Sequence, residues 1–548
     1  MISIMLRATI AVLVLAPYLA GAAQPEPGEE IISQVLSLGI AAPKKAPPRG
    51  DESEGPFKRL VIKNAYVIDG AGAPTQGPVT IVIEGDRIVE LRGGGTGSLH
   101  LDEEAKEEGT HVIDASGKYV IPGLIDAHAH FGTPSHAFGG SLTDPEYVSK
   151  LWLSHGVTTI REPGAIMGLK WTLEHKTRSD RGEITAPRMK VHALFPETIS
   201  SPDEARKWVK TVHNKGADGI KFLGANPEVI EAAIDEARVL GMKTMYHHSQ
   251  ISVARVNVLD TARMGLDSME HWYGLPEAMF RDRRVQDYPY DYNYNNEQDR
   301  FSEAGRLWQQ TAQPGSEPWI STIDELIDLN FTLDPTFTVY EVNRDTMRAR
   351  QAEWNADYTM PYITRAFQPN PKIHGSFHFD WTTADEVAWR KNFQLWMTFV
   401  NDYKNAGGRV TVGSDSGFLY GMYGFGYVRE LELLQEAGFH PLEVLQAATL
   451  NGAELLGIDG ETGSIQVGKK ADLVIVNENP LANFKVLYGT GHLKLNRDTG
   501  TMESTQGILY TIKDGIVFDA KKMLADVRQL VAEQKAKEAE AVAAQTDE

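Results

Sequence analysis

"IPGLIDAHAHFG", residues 121–132, is an apolar run that ends in Asp126, His128 and His130, each two residues from the next. In a β-strand, positions i, i+2 and i+4 point to one face. Three polar side chains on one face, at the end of a hydrophobic strand, are unfavourable when buried without partners. Two imidazoles aimed at one point suggest that a metal ion offsets that cost. The chain contains no cysteine, so disulfides, thiolate metal sites and a thiol nucleophile are excluded. Any metal must be held by histidine, carboxylate or modified side chains.

Outward from this stretch, short apolar runs alternate with helical segments. "GVTTIREPG" (156–164), "MKVHALF" (189–195), "DGIKFLG" (218–224), "KTMYHHS" (243–249), "DSMEHWY" (267–273), "FTLDPTFTVY" (331–340) and "RVTVGSDSG" (409–417) each read as a strand, and with 121–130 they make eight. Amphipathic stretches such as 227–242 lie between most of them. The pattern predicts an α/β fold, a (β/α)8 TIM barrel over 121–460. Polar residues cluster at the C-terminal ends of the runs: His128, His130, Lys221, His247 or His248, His271 and Asp415. That is the face where such barrels carry their active sites.

Two connections, 274–330 and 341–408, are too long for simple turns and are rich in aromatic residues, which predicts cap-like insertions. Tyr288, Tyr290, Tyr292 and Tyr294 alternate and are expected to cover an apolar surface at the barrel mouth. β-Branched runs at 57–120 and 461–520 predict one small β-sandwich domain formed from both chain ends. Residues 1–22 read as a secretory signal peptide, with Arg7 ahead of an apolar stretch too short to span a bilayer comfortably. Residues 23–56 read as a flexible linker, and 521–548 as a helical tail fraying into disorder. These features predict a periplasmic or secreted protein with no membrane anchor after cleavage. A formal charge of −20 argues against nucleic acid as a partner. Self-association is left open.

Several of these segments together resemble the amidohydrolase superfamily. "VIDASGKYVIPGLIDAHAH" resembles its first-strand signature, and "GVTTIRE" its second strand, with Glu162 where an aspartate is usual. "GADGIKF" resembles the branch that uses a carboxylated lysine, and "PLEVLQAATLNGAELLG" with "GSIQVGKKADLVIV" resembles the closing helix and the return to the β-domain. The style is closest to the imidazolonepropionase-like and prolidase-like members. The resemblance implies two divalent metal ions, zinc by default with manganese or cobalt as alternatives. His128, His130 and Asp415 would hold one, His247 and His271 the second, and carboxylated Lys221 would bridge them. His247 is favoured over His248, because its spacing from Gly241 fits the family segment and its neighbour would face away. Asp415 would move the proton from the attacking hydroxide to the leaving amine. Arg161, His192 and Tyr273 are candidates for substrate binding, while Arg161 and Glu162 could instead pair beneath the metals.

The implied activity is hydrolysis of a carbon–nitrogen bond in a small molecule, such as a dipeptide or an N-acyl amino acid. A cyclic amide or lactone is the alternative substrate class. A non-catalytic scaffold is disfavoured, because none of the ligand positions is missing.

Overall fold

The computed structural model of the protein describes residues 27–93, 108–370 and 380–546. Its centre is an eight-stranded sheet whose paired neighbours run parallel. The strands are β1 (Leu124–Asp126), β2 (Val157–Gly164), β3 (Arg188–Leu194), β4 (Gly219–Phe222), β5 (Lys243–Tyr246), β6 (Ser268–Glu270), β7 (Thr332–Asp334) and β8 (Arg409–Val410), neighbours in chain order. The first and last strands meet just past their ends. Ala127 N–H donates to Val412 O, and Asp415 N–H to His128 O, each at 2.8 Å. The fold is a TIM barrel, as the eight runs predict. Its strands read as unbroken apolar or small-residue runs because both faces are covered; Val157, Thr158, Thr159 and Ile160 are all buried.

Local signals set the helices between the strands. The helix Pro202–Lys215 starts after Ser201, whose Oγ accepts from the Glu204 N–H, and stops at Gly216, whose φ of 103° only glycine adopts readily. Its Ala205, Val209 and Val212 are buried in the main core.

Strands from both chain ends join in one nine-stranded sheet. Leu473–Val476 pairs antiparallel with Tyr119–Pro122, uniting the two halves. Arg59–Val67 pairs with Thr110–Asp114 along its first half and with Tyr119–Pro122 at its end, so the sheet branches there. Leu60, Ile62, Ile81, Val120, Leu473 and Ile512 form a core of their own. The sheet is tied to the foot of the barrel by Arg188, which reaches Asp472 at 2.7 Å and Asp514 at 2.5 Å.

Three expectations are corrected. The run at 331–340 is a strand only over Thr332–Asp334; Pro335 interrupts it and a helix starts at Phe337. The described part of 23–56 is packed chain, not a free linker. Its helix Pro27–Ser37 buries Ile32 and Val35 against Ala137, Leu142 and Met167. The tail is a helix as expected, Ala520–Thr546, but it is docked: its Met523, Leu524, Val527 and Val531 are buried in the main core, because apolar residues at helical spacing give it a docking face. The segment 1–22 lies outside the described residues. Among the described residues, no helix is long and apolar enough to cross a membrane.

Trp389 and Trp396 of the second long connection join Trp272 and Tyr340 in one aromatic cluster with ring centroids 5.7–6.0 Å apart. Tyr288 and Tyr292 stack at 4.2 Å. Tyr290 is fully exposed, so the alternating tyrosines do not all cover a surface.

Candidate metal centre

The three polar residues of the run at 121–132 divide into two jobs. Asp126 is completely buried and engaged: its carboxylate accepts from Ser414 N–H at 2.9 Å, Ser414 Oγ at 2.6 Å and His128 N–H at 3.2 Å. It ties β1 to the chain beyond β8. His128 and His130, two and four residues on, face the mouth. Their Nε2 atoms stand 3.4 and 3.3 Å from Asp415 Oδ1, and His271 Nε2 lies 3.8 Å from Asp415 Oδ2. One donor atom from each of His128, His130 and Asp415 lies within 4.8 Å of the others.

Asp415 and His271 sit at φ values of 47° and 61°, a left-handed conformation uncommon for residues other than glycine. Such backbone strain is held where the surroundings over-determine it, and here it turns both side chains toward His128. His271 is oriented further by Thr336, whose Oγ1 is 2.5 Å from its Nδ1. Glu162 accepts from the Phe131 N–H and stands 3.7 Å from His130 Nδ1, so it supports His130 from behind.

Lys221 points inward from β4, and its Nζ lies 2.5 Å from Glu270 Oε2. His247 lies beside His271, ring centroids 4.7 Å apart. Its neighbour His248 stacks on Tyr246 at 4.2 Å and bonds Thr261 at 2.9 Å, away from the mouth. His128, His130, Lys221, His247, His271 and Asp415 all line one cavity of about 220 Å³. Wider cavities of about 370–500 Å³ lie elsewhere, but none gathers several imidazoles.

The electrostatics follow from burial and proximity. Burial lowers the Lys221 amine, with Glu270 opposing. Burial brings the His128 imidazole down to about 4. At His130, burial works the same way but Asp415 and Glu162 outweigh it and push it up to about 9. Burial alone would raise the Asp415 carboxyl; His128, His130 and His271 hold it well below the usual range.

The donor set fits a divalent cation. Asp415 Oδ1 and His128 Nδ1 are buried without a hydrogen-bond partner, and the two imidazole nitrogens nearest Asp415 Oδ1 lack hydrogen-bond geometry. Imidazole and carboxylate donors are the set that zinc and related ions take.

The three substrate-binding candidates fare differently. Arg161 is wholly buried below the mouth, where it donates to Ala127 O, Ser268 Oγ (2.8 Å) and Asp334 Oδ2 (3.0 Å). It is a brace and does not line the cavity at the mouth. His192 is buried inside the barrel against Gly219, where any Cβ would collide with its ring. It fills the interior instead of facing substrate. Tyr273 packs beside His247 at 6.1 Å but does not line the cavity. The sequence reading missed Glu270, although it shares the period-two face of β6 with Ser268. It also missed Tyr340 and Phe301, which line the cavity from segments read as strand and cap.

Residues 397–517 match the model of the amidohydrolase family. Among curated proteins, the chain is 29% identical over 223 residues to an adenine deaminase 2 of Desulfotalea psychrophila (38% of this chain, 35% of that protein). It is 32% identical over 127 residues to an adenine deaminase of Leuconostoc citreum (22% and 19%). The chain thus spans between 19% and 35% of the length of these relatives. Among solved structures, a Xaa-Pro dipeptidase with bound methionine aligns with a TM-score of 0.56 at 18% identity, covering 84% of this chain and all of that one. A bottromycin amidohydrolase aligns with a TM-score of 0.58 at 18% identity, covering 93% and 94%. These likenesses concern the fold.

Proposed function

We propose a reaction for this chain from the premise that it belongs to the amidohydrolase superfamily: metal-dependent hydrolysis of a carbon–nitrogen bond in a small molecule. The observation that carries it is the meeting of His128, His130 and Asp415 donor atoms within 4.8 Å at the barrel mouth. His128, His130 and Asp415 would hold one divalent ion, zinc by default, and His247 and His271 a second. Bound metal would supply an acidified water and polarise the scissile carbonyl.

The chain's own residues do the rest. Asp415 takes the proton of the attacking water on its carboxylate and delivers it to the departing nitrogen. Glu162 and Thr336 keep the rings of His130 and His271 in place. Lys221, as the neutral amine that burial favours, would take up CO2: the N–C bond forms as one C=O π bond of CO2 becomes C–O⁻, the amine proton passes to solvent, and the resulting carbamate would offer its oxygens as metal ligands. Glu270 opposes this while it holds the amine as an ammonium at 2.5 Å. Dipeptides and N-acyl amino acids are the substrate classes that the prolidase-like resemblance suggests, with cyclic amides as the alternative. The pattern of residues 1–22 supports an exported protein.

The metal-loaded protein, screened against dipeptides, N-acyl amino acids, hydantoins and lactones, should hydrolyse at least one amide class. The Lys221→Ala protein should lose at least one metal equivalent and most activity, and regain part of the activity with added acetate or propionate. Lys221→Arg should stay inactive, since a guanidinium stays protonated and cannot carry CO2. Near-normal turnover by Lys221→Arg would eliminate the carbamate.

A further inference from the structure

We propose that the arm of the substrate enclosed by the cavity is neutral and apolar, carrying neither carboxylate nor ammonium. This rests on the hydrolytic reading above and narrows its substrate class toward hydrophobic amides and away from arms ending in a free amino-acid carboxylate.

The cavity has two unlike halves. Its floor is the histidine–aspartate cluster with Lys221, and its wall is apolar. Ile166 follows β2, Leu194 ends β3, Leu223 follows β4, Phe301 comes from the first long connection, Val339 from the helix after β7 and Phe418 from the loop after β8. Six separate segments each contribute an apolar side chain. One hydrophobic stretch folding over the mouth would not give that arrangement. Among the described lining residues, the Tyr340 phenol is the one neutral polar group on the wall.

Charge recognition lacks a free partner there. The lining groups able to carry charge, His128, His130, His247, His271, Lys221 and Asp415, all lie on the floor, where the hydrolytic reading commits them to metal. Next along the chain from Phe301 is Arg300, but it reaches Glu297 at 3.1 Å and lies over the rings of Tyr294 and Phe301 at 5.1 and 4.8 Å. A carboxylate placed against this wall would lose its water without gaining a counter-charge, whereas each methylene buried there is worth roughly fourfold in affinity. The volume, about 220 Å³, lies below the ~300–1,000 Å³ of drug-sized pockets and suits an arm of about one ring or a short alkyl chain.

The test separates the pocket from the chemistry. Turnover by the metal-loaded protein is compared for butyranilide and N-(4-carboxyphenyl)butanamide, which differ only in one carboxylate. The neutral anilide should have the higher kcat/KM by at least tenfold. Calorimetry then compares butyrophenone with 4-butyrylbenzoate, which have no scissile nitrogen, so binding is read without turnover. Butyrophenone should bind at least tenfold more tightly. Leu223→Arg, or Ile166→Arg if the first variant does not fold, should shift that preference toward the carboxylate by at least tenfold. If neither anilide is cleaved but butyrophenone keeps its advantage, the proposal stands and amide hydrolysis is in question. Equal affinities, binding of neither ketone, or a preference for the carboxylate overturns the proposal.

Discussion

The barrel interior holds two polar layers, one step apart along the same strands, and they are built in opposite ways. In the lower layer Asp126 and Arg161 are each held by three hydrogen bonds: Asp126 accepts three, and Arg161 donates to a carbonyl, a hydroxyl and Asp334. In the upper layer His128, His130 and Asp415 converge while Asp415 Oδ1 and His128 Nδ1 stay without hydrogen bonds. Buried polar groups of similar type thus act as braces where their neighbours complete them, and as a binding site where their neighbours leave them unfinished. Desolvation makes the second arrangement unfavourable unless a cation completes it.

The largest effect expected from breaking this contrast is in the upper layer. Asp415→Asn keeps the shape but removes the proton acceptor, and kcat/KM should fall by about 10³ or more, a typical loss for a positioned acid–base group in concert with its site. Circular dichroism should report an intact fold. A loss under tenfold would mean that Asp415 is only another brace.

In the lower layer the effect should appear as stability instead. Arg161→Met leaves Asp334 buried without its guanidinium, so urea unfolding should show a loss of about 3–5 kcal/mol. A change below about 1 kcal/mol would remove the distinction between the layers.

A smaller effect concerns a brace outside the barrel. Glu430 accepts from Phe337 N–H (2.8 Å), Thr338 N–H (2.7 Å) and Thr338 Oγ1 (2.6 Å), fixing the start of the helix that brings Val339 and Tyr340 to the mouth. Burial raises its carboxyl from 4.5 to about 8. The folded state therefore binds this proton more tightly than the unfolded chain. The stabilisation is complete below about pH 4.5 and is lost as pH rises through about 8. Wild-type stability should decline across that window, and Glu430→Gln should flatten the decline. An unchanged slope in the variant would assign the pH dependence to other groups.

How far the sequence could be read follows from the same geometry. The period-two spacing of Asp126, His128 and His130 is local, and so are the apolar runs of the eight strands, so both were legible. What was hidden depends on contacts between distant residues. Lys221 meets Glu270 across 49 positions and Arg161 meets Asp334 across 173, and no local pattern announces either pair. His271 is one residue out of phase with Ser268 and Glu270; its positive φ, invisible in the sequence, turns it to the mouth. The sequence leaves Arg161 open between pairing beneath the metals and binding substrate, and offers His192 as a substrate contact at the end of its strand; their height within the barrel, which the sequence does not show, separates these roles. The docking of the helices at 27–37 and 520–546 is not legible in the sequence, because few apolar residues in a polar stretch suffice once a surface is there to receive them.

The central claim is that the unfinished upper layer is a metal centre, and metal content tested against activity addresses it most directly. After loading with zinc and removal of the excess, elemental analysis should find about two equivalents per chain. His128→Asn and Asp415→Asn should lower that number, and Arg161→Met, where folded, should not. Exhaustive chelation should abolish hydrolysis, and added metal should restore it. Hydrolysis that survives complete metal removal, or zinc content unchanged by His128→Asn and Asp415→Asn, would contradict the account.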